Sequence, residues 1–208
     1  MPLMTREELA NTISHGLGLV LALVALPILI AAGMRAGNVQ FTVGVGVFGG
    51  TMVLLYLAST LYHSLTHESA KRLFRLFDHT AIFLLIAGTY TPFSLGVLRG
   101  RWGWSLLAAI WTLAIVGITL KIRKRTRYSP ICIVLYVIMG WLAVVAVKPI
   151  FTLVPVPGIL LIFAGGLAYT GGLAFFAADR IRYNHFIWHL FVIAGTTCHF
   201  FAVLWYGA

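Results

Sequence analysis

Charge is scarce in this sequence. Of 208 residues only 10% are charged and five are acidic, against 61% hydrophobic and a mean hydropathy of +0.97. That balance excludes a soluble globular domain. Cysteine is nearly absent too: Cys132 and Cys198 fall in different apolar runs, and neither belongs to a CxxC pair, so both read as packing residues. The first residues, "MPLMTREELANTISHG", lack a basic n-region and a small-residue cleavage site, and the apolar run after them is long enough to span a bilayer. No cleaved signal peptide is expected.

What is present is a series of long apolar runs. A helical span needs about 20 mostly apolar residues, and spanning structures satisfy their backbone hydrogen bonds internally, as helices or closed barrels. Unbroken runs of this length choose helices. Charge clusters and Gly/Pro punctuation divide the chain into seven, near residues 12–34, 41–63, 77–97, 103–120, 130–148, 157–178 and 185–206. The proline-rich "KPIFTLVPVPG" is expected to form a short turn between the fifth and sixth spans. The expected fold is an all-α membrane protein, one seven-transmembrane helix bundle over residues 1–208.

The net charge of +10 raises the possibility of nucleic acid, but the 15 basic residues sit in short clusters between apolar runs, with no aromatic-interleaved surface. No nucleic-acid partner is expected. The clusters read instead as topology signals. With the N-terminus in the cytoplasm, the inside segments carry eleven basic residues: Arg6, Lys71, Arg72, Arg75, Lys121, Arg123, Lys124, Arg125, Arg127, Arg180 and Arg182. The outside segments carry four: Arg35, Arg99, Arg101 and Lys148. The positive-inside rule therefore predicts a cytoplasmic N-terminus and a C-terminus outside. Asp179, beside Arg180, reads as a solvated loop charge.

This topology gathers distant polar residues at one depth. The second span ends inward at "ASTLYH", placing Ser59 and His63 in its cytoplasmic last turns. The third starts outward at "FDH", with Asp78 in its first turn, and the seventh at "NHFIWH", with His185 and His189 in its first two turns. Residues four apart share a helix face, so His185 and His189 can point at one centre while Ser59 sits one turn above His63. Three imidazoles with a fourth position left for water are the ligand set of a catalytic zinc site. A single histidine near the interface is ordinarily a hydrogen-bonded or snorkelling residue. A metal explains His63, Asp78, His185 and His189 together, because ionisable groups at membrane depth are costly and tend to be functional.

The other histidines fit less well. His199 lies about 21 Å along the axis from His185 and reads as a hydrogen-bonded residue of the outer half. His15 begins the first span and is expected to be a supporting residue or an interfacial cap with Asn11. His67 and His79 are expected at the interface. "DHTAIFLLIAGTYTP" and "HFIWHLFVIAGTTCH" align without a gap, setting Asp78 against His185, and Gly88 and Gly195 in these segments suit close helix approach.

Taken in order, "EELANTISHGLGL", "LASTLYHS", "LFDHTAIFLLIAGTYTPF", "MGW" and "YNHFIWHLFVIAGTTCHF" resemble the bacterial hemolysin III branch of the progestin and adipoQ receptor family over nearly the whole chain. The resemblance implies a seven-helix bundle with a cytoplasmic N-terminus and a zinc ion near the cytoplasmic side. The family's SxxxH motif falls on Ser59 and His63, its third-helix aspartate on Asp78, and its HxxxH on His185 and His189. The wider superfamily is similar to alkaline ceramidases, which implies hydrolysis of a lipid amide.

The leading expectation is a zinc-dependent intramembrane hydrolase in the bacterial inner (plasma) membrane. Its partners would be membrane lipids, with a lipid amide as substrate. His63, His185 and His189 would hold Zn²⁺, Asp78 would orient the attacking water or take its proton, and Ser59 would hold the water or the oxyanion. One alternative keeps the zinc as a staple in a lipid sensor or a regulator of membrane energetics. A hemolytic pore ranks last, since the outer half offers few polar residues to line one.

Overall fold

Helix in this protein begins before the hydrocarbon-length runs do. The computed structural model describes residues 4–124, 130–178 and 180–208. Helix α1 (Arg6–Arg35) starts six residues ahead of its expected span. Thr5 caps it by accepting from the Glu8 backbone N–H at 3.2 Å, and Glu7 and Glu8 complement the positive helix end. Helix α2 (Val39–Ser64) is capped by Asn38, and helix α3 (Glu68–Leu95) starts nine residues before its expected span. The early start of α3 has a simple cause. Outside hydrocarbon a helix needs good helix formers rather than apolar residues, and the Glu68–Arg72 pair at 3.3 Å bridges its first turn. Asp78 therefore lies in the third turn of α3, not the first.

Helix α4 (Arg101–Lys124) is followed by a broken fifth span: α5 (Pro130–Gly140), a 3₁₀ turn (Leu142–Ala146) and α6 (Val147–Leu153). Helices α7 (Val156–Phe176) and α8 (Asn184–Tyr206) complete the chain. Among the described residues seven helical segments are long and apolar enough to cross a membrane, α5 to α6 counting as one. The expected all-α, seven-span architecture is present. Arg125, Arg127 and Asp179, read above as loop charges, lie outside the described residues.

The break of the fifth span differs from expectation. Pro149 was expected to end the helix, but it sits in the first turn of α6, where a missing N–H removes no helical bond. The interruption falls instead after Gly140, and the turn between spans shrinks to Val154 and Pro155. Tyr90 of α3 bridges the break, its hydroxyl donating to the Gly140 carbonyl at 2.9 Å and accepting from the Ala143 N–H at 3.0 Å. Irregular backbone at membrane depth is tolerated where such partners exist.

Helix α1 packs against α2 and α8, and α2 against α3, so the end of α2 and the starts of α1 and α8 meet at one end of the bundle. Close approach is allowed by Gly88, whose missing Cβ leaves room for the Thr51 side chain, and by Gly195 beneath the Tyr169 ring. Leu17, Leu21 and Val24 of α1 face outward, as a lipid-exposed surface requires.

Candidate metal centre

His63 ends α2 and is buried. Its Nδ1–H donates to Glu8 Oε2 of α1 at 2.5 Å, while Asn11 Nδ2 lies 3.5 Å from the same nitrogen. The other Glu8 oxygen accepts from Lys71 Nζ at 2.6 Å, so one carboxylate links α1, α2 and α3. His63 Nε2 is buried and has no hydrogen-bond partner.

His189, in the second turn of α8, is held by the same logic. Ser14 Oγ donates to the Asn11 carbonyl at 2.9 Å, which leaves the hydroxyl oxygen to accept from His189 Nδ1–H at 3.0 Å. Both imidazoles thus have Nδ1 engaged outward, which leaves the Nε2 lone pair of each as the ligand. His185, one turn earlier, completes the group, its ring centroid 4.6 Å from that of His189 and 4.9 Å from that of His63. One ligand atom from each of the three lies within 4.8 Å of the others, so His63, His185 and His189 can hold a metal ion. The buried, unpaired Nε2 of His63 fits a metal, since a buried lone pair without a partner is costly.

Ser59, one turn before His63, is fully buried. Asp78 is buried on α3 beside Ser59 and within electrostatic reach of His63. The five residues singled out in the sequence therefore cluster at one end of the bundle: three imidazoles that converge and two flanking oxygen donors.

The remaining histidines separate. His199 donates from Nε2 to the Ile162 carbonyl at 3.1 Å, tying α8 to α7 away from the three-histidine group. His67 is exposed at the N-cap position of α3. Two readings change. His79, expected at the interface near the start of its span, is buried in the bundle and lies well inside α3, which begins at Glu68. His15 is neither a helix start nor a cap with Asn11, because α1 also begins early; it is buried and stacked on His189 with ring centroids 3.4 Å apart. Lys121, counted above among loop charges, is buried in α4 within electrostatic reach of Asp78.

Sequence reasoning missed Glu8, Ser14 and Lys71. A signal for the first was present: Thr5-x-x-Glu8 is a capping-box spacing, and starting the helix there puts Glu8, Asn11 and His15 on one face. Carboxylates that orient ligating histidines typically carry about 10–100-fold in metal affinity. Glu8→Ala is accordingly expected to weaken metal binding by roughly that factor. Glu8→Gln, which keeps an acceptor for His63 Nδ1–H, should lose less. Competition against a chromophoric chelator measures both, and an unchanged affinity in Glu8→Ala would mean that α2 alone orients His63.

Seven membrane-spanning helical segments among the described residues, with a three-histidine group at one end that could hold a metal ion, are the class this structure defines. Comparison with known proteins then supplies the family. The family profile described as Haemolysin-III related matches residues 4–200, and the chain belongs to that family. It is 49% identical over 204 residues to Hemolysin-3 of Bacillus cereus, covering 97% of this chain and 92% of that protein. With the Hemolysin-3 homolog of Bacillus subtilis (strain 168) the identity is 44% over 201 residues, with 97% and 94% covered. A more distant relative is the human Monocyte to macrophage differentiation factor, 25% identical over 207 residues, with 95% and 83% covered. That likeness supports the link to the progestin and adipoQ receptor family.

Proposed function

We propose that this protein is a zinc-dependent hydrolase of a lipid amide, embedded in the bacterial plasma membrane with its N-terminus and metal site on the cytoplasmic side. The observation that carries the reading is the pairing of three convergent imidazoles with a buried carboxylate, Asp78, that is not one of them. Three nitrogen ligands are the donor set of catalytic rather than structural zinc. Zinc held by His63, His185 and His189 would supply Lewis acidity, polarising a carbonyl and acidifying water towards neutrality.

The chain's own residues do the rest. Asp78 takes the proton of the attacking water and returns it to the leaving amine. Ser59, buried beside Asp78, donates to the developing oxyanion. Glu8 and Ser14 hold two ligand rings in place, so the site is set before substrate arrives.

The shape of the interior supports an amphiphilic substrate. An inner cavity lined by Asp78, His185 and His189 runs beside α3 and α7. It abuts an apolar cavity of about 480 Å³ between α3, the broken fifth span and α7, with Thr89, Tyr90, Trp141 and His199 as common wall. Val144, Val147 and Phe151 line that second cavity while being exposed on the lipid-facing surface, which gives an acyl chain a sideways route to the site.

The direct test is metal analysis of the purified protein followed by a turnover screen over N-acyl lipids. Stoichiometric zinc with no turnover on any N-acyl lipid would leave a metal staple joining α2 to α8. Orientation has its own test: a reporter fused after Ala208 should be active only in a form that folds outside the cytoplasm, as the positive-inside rule predicts from the eleven-to-four distribution of basic residues. Activity of a cytoplasm-only reporter there would invert the bundle.

A further inference from the structure

We propose that His15 is the ligand-recognition residue of the inner cavity, hydrogen-bonding a headgroup that both donates and accepts, an amide or a hydroxyl on an apolar chain. The inference rests on the proposed function in taking an amphiphile as the ligand.

His15 is 3% exposed and sits well inside α1. Its ring is held by its faces. His189 stacks on it, with planes 10° apart, and Tyr56 meets it edge-on at 5.1 Å. Gly18, on the next turn, is what admits Tyr56, since a Cβ there would lie 2.6 Å from the tyrosine ring. Tyr56 does not hydrogen-bond to His15, because its hydroxyl donates to Thr196 Oγ1 at 3.0 Å. Both ring nitrogens of His15 are buried, and among the described residues neither has a hydrogen-bond partner. Packing therefore fixes the imidazole while leaving its entire polar edge unused.

A neutral imidazole carries one N–H donor and one acceptor lone pair. Leaving both unmade in a buried site is costly, so the position calls for a partner that arrives from elsewhere. His15 lines the inner cavity, the same space that Asp78 and His185 line. Several polar groups on its walls are already engaged, Tyr90 with Gly140, Tyr136 with the His79 carbonyl, Tyr169 with Thr196 and Trp141 with Thr170, while His199, its Nε2–H on the Ile162 carbonyl, offers an acceptor alone. An occupant with one donor and one acceptor matches His15, whereas an ester or a carboxylate offers acceptors alone.

The test reads binding, not turnover. Wild-type protein and variants, stripped of metal by a chelator, are titrated with N-hexadecanoyl ethanolamine and with methyl hexadecanoate. Binding is followed by tryptophan fluorescence, since Trp141 and Trp188 line the cavity. The wild type should prefer the amide. His15→Phe, which keeps a ring against His189, should lose about tenfold in amide affinity with the ester unchanged. His15→Asn, which restores a donor and an acceptor, should recover part of the loss. Should His15→Phe fail to fold, His15→Leu against His15→Asn carries the comparison.

An amide preference that survives His15→Phe, or an equal loss for both lipids, overturns the proposal. So does a folded His15→Asn that binds the amide no better than His15→Phe. Loss of zinc from the unstripped His15→Phe protein would do the same by making His15 part of the metal site. Amide binding that depends on His15 without any turnover would sink the hydrolase and leave this inference standing.

Discussion

Protein carrying His63→Ala, His185→Ala or His189→Ala should come through purification with far less than one equivalent of zinc, while His199→Ala should keep its full complement. The size of the effect follows from the ligand count. If the about 10–16 kcal/mol typical of a protein zinc site is shared over four ligands, losing one costs roughly 3 kcal/mol, about a hundredfold in affinity or more. Chelators and dilution during purification then strip the weakened site. Each ligand position is buried or half-buried beside the others, with ring centroids within 5.1 Å, so no solvent-exposed residue is placed to substitute. His199 differs because its Nε2–H is committed to the Ile162 carbonyl.

Thermal melting gives an independent readout. Adding zinc at about a hundred times its Kd stabilises a folded protein by about 2.7 kcal/mol. Wild type and His199→Ala should therefore melt higher with zinc than with chelator, and the three ligand variants should show no such difference. If His63→Ala retains stoichiometric zinc while His199→Ala loses it, the centre lies elsewhere in the bundle.

The three candidate ligand histidines were legible because the cues for them are simple. His185 and His189 share a face by helical spacing, and the alternation of seven spans brings the end of α2 and the start of α8 to the same side. The support for those ligands was much less so. Hydropathy marks where hydrocarbon begins, not where helix begins, so the polar first turns of α1 and α3 lay outside the expected spans. Those turns carry Glu8, which meets His63, and Lys71, which meets Glu8. That Ser14 meets His189 depends on the rotation of α1 between α2 and α8, which no spacing within α1 encodes. The same early starts leave His15 and His79 well inside their helices instead of in the first turns, and both are buried. Around "KPIFTLVPVPG" the prolines were visible but the helix position of each was not. Pro149 falls where its missing N–H is harmless, and the break moves to Gly140, where the Tyr90 hydroxyl from another helix meets the freed backbone.

Asp78→Asn separates an enzyme from a staple. Asn is close in shape to Asp and its carbonyl still accepts a hydrogen bond, so the packing beside Ser59 should survive. Its amide cannot take up a proton. Asp78 is not among the three proposed ligands, so the variant should hold zinc at wild-type stoichiometry and keep the zinc-dependent rise in melting temperature. As a hydrolase it should lose turnover of an N-acyl lipid by the 10²–10⁴ that general acid–base catalysis typically contributes. If the metal only joins α2 to α8, the variant should match wild type in zinc content, in melting and in every functional measurement. Loss of zinc from Asp78→Asn would have a different meaning: the carboxylate would be a direct ligand or a required support for one. A fourth protein ligand closes the position that hydrolysis requires, since structural zinc sites are closed and catalytic sites are open. That outcome would replace the hydrolase with a zinc-stabilised bundle, in which the cavity beside Asp78 serves to bind a lipid rather than to cleave one.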